Sequence, residues 1–231
     1  MEKVIQIWKE SLFTDPLLII VLVVTFGVSL KKFKTHPQLK MLPLYFASFI
    51  IFSLLSEIFI GVYQNQPKVF NIRFERLGNL LVTLLEFSAF AYYALAITTT
   101  RLFRNAIHFL SILASLLTLA LIYLNYNSLE VVTHRTLNIL YIIESISLLA
   151  ISSFYFIDLF ISSSVCRLLN TANFWVSSGL VFYVFCTLPF TLLSDYFIHT
   201  NEILYKNLYA LVYIFYIVLF LMVIKGYYAD N

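Results

Sequence analysis

Charge is what this sequence has least of. Asp, Glu, Lys and Arg make up 12% of its 231 residues, while 61% belong to the AVILMFWYC set. Soluble domains carry roughly 25% charged and roughly 45–50% apolar residues. A chain this poor in charge cannot clothe a globular surface in water, and one this apolar does not stay disordered. Cysteine is equally scarce. There are two, Cys166 and Cys186, one in a predicted loop and one inside an apolar segment, so no disulfide scaffold is expected. Without a CxxC or a Cys/His cluster there is no redox or zinc motif either. Five glycines leave no Gly-rich loop, and the Walker and GxGxxG patterns are absent.

What is present in abundance is apolar sequence, with a mean hydropathy of +0.89. It is concentrated in segments long enough to cross a bilayer, which takes about 20 residues. The spans read as 16–33, 41–63, 77–99, 106–124, 137–160, 172–193 and 204–224. Their period is helical, and the segments of about 10 alternating residues that a β-barrel needs are missing. Asp15-Pro16 is a helix-start pair, and Lys31 and Lys32 can snorkel at the far end of the first span. The connections are short, the longest being Gln64 to Arg76, and Ser194 to Glu202 reads as a turn. Short connections make antiparallel neighbours. The expected fold is all-α: a single compact bundle of seven transmembrane helices covering residues 1–231. Residues 4–13 place Val4, Ile5, Trp8 and Leu12 on one face, as in a short interfacial helix, and no cleavable signal peptide is expected.

The remaining charges lie mostly between spans, which makes them topology signals rather than a nucleic-acid surface. With the N-terminus outside, the cytoplasmic side holds Lys31, Lys32, Lys34, Lys40, Arg101, Arg104, Arg167 and Lys225. The other side holds Lys3, Lys9, Lys68, Arg73, Arg76, Arg135 and Lys206. The totals nearly tie. The lysine cluster after the first span decides for N-terminus outside and C-terminus cytoplasmic.

Three acids fall inside the spans: Glu57, Glu86 and Glu144. An acid at the centre of a membrane helix costs about 2.5–3.5 kcal/mol, so each needs a reason. Counted along the expected spans at about 1.5 Å per residue, all three lie roughly 9–14 Å below the same face. Their helical neighbours are polar or aromatic. Asn79, Thr83, Phe90 and Tyr93 share a stripe with Glu86, and Tyr141, Ser147, Tyr155 and Asp158 share one with Glu144. Ser53, Gly61 and Gln64 share one with Glu57. The last span adds a Tyr stripe in which Tyr209 and Tyr213 stand near the glutamates' depth, and the sixth adds Tyr183 beside Cys186, Thr187 and a kink at Pro189. An aromatic lining with a few convergent polar groups is the form of a small-molecule site. The candidate ligand-binding residues are therefore Glu57, Glu86, Glu144, Asn79, Thr83, Tyr93, Tyr141, Ser147, Tyr183, Tyr209 and Tyr213. Against this stands a purely structural role, in which protonated glutamates latch helices together. Asp158, near the inner end of its span, reads as solvated, and Lys206 as snorkelling.

Several chemistries lack their residues. Retinal attachment needs a lysine in the middle of the last span, but Lys206 and Lys225 bracket an uncharged stretch. Zinc-dependent seven-helix hydrolases need membrane histidines. Here His36, His134 and His199 fall in predicted loops, His108 lies at the entry of the fourth span, and there is no HxxxH. Neither a rhomboid Ser/His arrangement nor a DDxxD motif is present. No catalytic residue, metal ligand or cofactor is assigned, and the enzyme reading is the weaker one.

The stretches Leu54-Leu55-Ser56-Glu57, Leu84-Leu85-Glu86-Phe87 and Asn173-Phe174-Trp175 resemble those of uncharacterised small bacterial seven-helix membrane proteins. The span count, topology and short inner loops also resemble the seven-helix sensor regions at the front of some bacterial histidine kinases. That resemblance implies a sensor that binds a small ligand, cationic or amphipathic, and signals through a cytoplasmic partner, since no kinase part follows Lys225. A proton- or cation-coupled transporter and a structural subunit of a membrane complex are the alternatives. In every case the lipid bilayer is a partner and nucleic acid is not.

Overall fold

The computed structural model describes the backbone of residues 15–62, 68–126, 134–161, 171–200 and 202–229. It leaves out the side chains at 15, 56–62, 68–80, 121–122, 124–126, 134–137, 195, 198–199, 202–203, 206–207 and 209. Among the described residues there are seven long helices and no strand. They are α1 (Asp15–Lys32), α2 (Leu42–Val62), α3 (Lys68–Ile97), α4 (Arg101–Tyr126), α5 (His134–Ile161), α6 (Ala172–Thr200) and α7 (Glu202–Tyr228). A 3-10 turn, Pro37–Leu39, precedes α2.

The bundle is built for lipid. Five stretches are long and apolar enough to cross a membrane: Pro37–Leu55, Arg101–Ala120, Asn138–Ile161, Ala172–Ser194 and Ala210–Tyr228. Leu81–Ile97 within α3 is a shorter apolar stretch. α1 is 18 residues long and carries Asp15, Lys31 and Lys32 within that length. Large apolar side chains such as Ile20, Ile51, Phe109 and Phe185 point outward. Thr25, Ser29, Ser152, Ser177 and Thr187 are buried. That is the reverse of a water-soluble protein, because hydrocarbon rewards apolar exposure and requires polar groups to be satisfied within the protein. Small hydroxyls obey this locally. Thr25 donates to the Val21 carbonyl at 2.6 Å, Ser152 to Leu148 at 2.7 Å and Thr187 to Tyr183 at 2.9 Å, each one turn back on its own helix.

Six helices close a ring in the order α1, α2, α3, α5, α6, α7 and back to α1, and α4 leans on the outside against α3 and α5. The peripheral place of α4 shows in its burial: 11% of its apolar stretch is buried, against 39% for that of α5. α6 and α7 pack closest, for a reason visible at two glycines. A Cβ on Gly179 would stand 2.8 Å from the Cβ of Met222, and one on Gly226 would stand 2.8 Å from Val176 Cγ2 and 3.1 Å from the Ala172 carbonyl oxygen. Only hydrogen fits at either point.

At one end the short connection from α1 to α2 is stitched to the rest. Tyr227 donates its hydroxyl to the Leu39 carbonyl at 3.2 Å, and the His36 ring meets the Tyr227 ring edge-on at 5.9 Å. Gln38 donates to the Asn173 side chain at 3.5 Å. Lys32, Lys40 and Lys225 each lie over a ring at this end, those of Tyr228, Tyr92 and Trp175, at 5.1, 5.0 and 5.8 Å.

Several helix ends differ from the sequence expectation. α3 begins at Lys68 rather than 77, so the predicted connection from Gln64 to Arg76 is largely helical. α4 begins at Arg101 rather than 106. α6 runs on through the predicted turn to Thr200, which brings His199 into a helix, and His134 opens α5. Hydropathy traces the part of a helix that lipid covers, and backbone hydrogen bonding carries the helix past that boundary. The expected interfacial helix at 4–13 and Cys166 lie outside the described residues.

Candidate functional site

The level of the site is set by a clasp between α3 and α5. Asp158 on α5, buried rather than solvated as its sequence position implies, accepts from the Thr99 backbone N–H at 2.8 Å and hydroxyl at 2.9 Å. It also accepts from the Thr100 N–H at 3.1 Å and from the Thr100 hydroxyl. These threonines immediately precede α4, so the carboxylate supplies in trans the acceptor that a helix N-terminus lacks and stands where the helix dipole favours negative charge. The clasp also fixes the register of the two helices. Glu86 is thirteen residues before Thr99 and Glu144 fourteen before Asp158. At about 1.5 Å per residue both acids therefore stand at one level, about 20 Å from the clasp. The shared level expected from sequence holds for this pair, and Glu86 lies eighteen residues into α3 because that helix starts before the apolar span.

At that level the two carboxyls lie within each other's electrostatic field. Glu86 is 3% exposed. Its Oε2 accepts hydrogen bonds from the hydroxyls of Tyr45 on α2 at 3.1 Å and Tyr216 on α7 at 3.2 Å. Its Oε1 is buried without a hydrogen-bond partner among the described residues, as is Oε1 of Glu144. Tyr183 on α6 lies against Tyr216, ring centroids 4.4 Å apart. Tyr45, Tyr183 and Tyr216 each feel both acids electrostatically. Phe49, Phe90 and Phe220 close the surroundings, Phe49 within 6.2 Å of Tyr45 and 6.0 Å of Tyr216. Five of the six ring helices thus contribute to one interior cluster of acids, phenols and rings.

Not every candidate belongs to it. Tyr93 sits two turns further along α3, where its hydroxyl bonds the Asn173 carbonyl at 2.9 Å and Ser177 Oγ at 3.1 Å. Its role there is to join α3 to the start of α6. Ser147 donates to its own helix at Ile143. Thr83, Tyr141 and Tyr213 are half-buried, and Tyr213 packs against the core. The side chains of Glu57, Asn79 and Tyr209 lie outside the described residues. Two residues that matter were absent from the sequence candidates, Tyr45 and Tyr216. Tyr216 lies on the tyrosine stripe of α7, one turn beyond Tyr213. Tyr45 gives no signal in sequence beyond being a tyrosine near the start of a span.

Among the described residues no group of three or more His, Cys, Asp or Glu side chains could hold a metal ion. Cys186 is a free thiol. No protein-family model, curated protein or solved structure matches the chain.

Proposed function

We propose that the protein is a receptor-like membrane sensor that binds a small, positively charged ligand at the Glu86–Glu144 cluster and signals to a cytoplasmic partner. One observation carries the reading: two acids share the bundle interior, and each keeps a buried carboxyl oxygen without a hydrogen-bond partner among the described residues. Polar atoms held dry without a partner cost about 1–3 kcal/mol each, more when charged. A positive ligand offsets that cost. The cluster also draws on α2, α3, α5, α6 and α7, so a change of charge there bears on the packing of most of the ring at once. Lys31, Lys32, Lys34, Lys40, Arg101, Arg104 and Lys225 give the proposed cytoplasmic end its positive character, with the N-terminus outside the inner membrane. Likeness to the sensor regions of bacterial histidine kinases points the same way.

The test is thermal unfolding of the detergent-solubilised protein across a panel of inorganic and organic cations and pH values. A stabilising condition is expected that E86Q and E144Q each abolish. If both variants respond as the wild type does, the site is elsewhere. A proton- or cation-coupled transporter is the second reading, favoured by Pro189, which stands inside α6 six residues beyond Tyr183 and removes a helix hydrogen bond there. Flux into proteoliposomes driven by a pH gradient separates the two.

A further inference from the structure

We propose that the ligand of this site is a single proton, held by Glu86 and Glu144 as one unit. The proposal rests on the sensor reading above and names its ligand.

Space argues for it first. Tyr45, Phe90 and Phe220 around Glu86 are each less than 2% exposed, and their rings touch one another or Phe49. An interior filled by interlocking rings favours the ligand that needs no cavity of its own.

Charge argues for it next. Among the described residues, the groups that face the pair are Tyr45 from α2, Tyr183 from α6 and Tyr216 from α7, besides the two carboxyls from α3 and α5. No described Lys, Arg or His hydrogen-bonds to either acid. The described lysines and His36 gather towards the end that carries the connection from α1 to α2, Arg101 and Arg104 open α4, and His108 is exposed. Two carboxylates at one level of a low-dielectric interior repel, with no cation among the described residues bonded to either. One negative charge is provided for, because two phenol hydroxyls converge on Glu86 Oε2. For a second charge no such donors are seen among the described residues, where Oε1 of Glu86 and Oε1 of Glu144 are buried and accept no hydrogen bond. The pair thus solvates one charge and leaves oxygens open for one proton.

The step is simple to balance. An O–H bond of hydronium breaks, its proton forms an O–H bond to one carboxylate oxygen, water is left behind, and the pair passes from two negative charges to one. Release reverses it. Such a pair titrates as a unit, with no fixed owner of the proton.

The experiment is infrared difference spectroscopy of the full chain in lipid nanodiscs through a series of pH steps, following the C=O band of protonated carboxyls. Trp175 fluorescence in a W8F background is recorded on the same samples. With the signal of the double variant subtracted so that the other ten acids cancel, one carboxyl equivalent is expected to titrate in a single step, displaced in E86Q and in E144Q. E144D, which keeps the acid where Gln disturbs folding, is expected to retain a shifted band. A wild-type band that does not differ from that of the double variant overturns the proposal, as does a difference of two titrating equivalents. Stabilisation by sodium or tetramethylammonium with no titrating band overturns the proton and keeps the sensor. A titrating band with unchanging Trp175 fluorescence upholds the proton and removes the sensor reading.

Discussion

Glu86 holds its position because two phenols reach it from the two helices that flank α1, Tyr45 from α2 and Tyr216 from α7. Y45F and Y216F each remove one hydrogen bond to a buried acid, and Y216F also loses the contact of that hydroxyl with Tyr183. Each is expected to lower stability by about 1.5–3 kcal/mol, the worth of a hydrogen bond to a charged group, read as a fall in unfolding temperature in detergent. Y93F serves as a comparison. It loosens α3 from α6 at Asn173 and Ser177 and is expected to destabilise while leaving the response of the carboxyl pair unchanged. The two acids were legible in sequence because charge stands out in an apolar run. Their phenol partners were not, because sixteen tyrosines make any one of them uninformative, and because the partner of a side chain is a matter of which helices adjoin. Tyr93 was assigned to the wrong cluster by helical spacing alone. Seven residues return to the same face of a helix but about 10 Å further along it.

Between elements, one carboxylate and two glycines carry much of the specificity. D158A leaves two backbone N–H groups and two hydroxyls without their acceptor and uncaps α4. A loss of about 2–4 kcal/mol is expected, with D158N intermediate since it keeps one acceptor oxygen; thermal unfolding decides. The register of α3 against α5 depends on the same clasp, so D158A should also weaken the coupling between Glu86 and Glu144. At the α6–α7 contact, G179A and G226A drive a methyl group into Met222 and Val176. Each is expected to cost about 1–3 kcal/mol by overpacking. The same change at Gly27, where a Cβ would meet nothing within 4 Å, is expected to be neutral or to stabilise by up to about 1 kcal/mol through helix propensity. The number and order of helices could be read from hydropathy, but their ends could not. The early start of α3 and the late end of α6 lie in polar sequence, where the hydropathy signal stops before the helix does. Asp158 was misread for a related reason: its acceptors are satisfied by a loop 58 and 59 positions away in the chain, a distance no local pattern spans.

As a whole the described molecule is a ring of six helices with a seventh outside it, with large apolar side chains exposed on its outside and small hydroxyls and acids buried among aromatic and aliphatic side chains within. Such a distribution suits a lipid or detergent environment. If the basic end faces the cytoplasm, a reporter fused after the C-terminus should be fluorescent as a GFP and inactive as an alkaline phosphatase. The reverse pair of results would invert the orientation. At this scale the acids of α3 and α5 act as one site. A double-mutant cycle measures this directly, comparing the unfolding free energies of wild type, E86Q, E144Q and the double variant. Removing either acid relieves the other, so the two changes are expected to be non-additive by about 0.5–3 kcal/mol, the range found for residues in contact. Strict additivity would mean that Glu86 and Glu144 do not sense each other, and that the bundle has no shared acidic site at its centre.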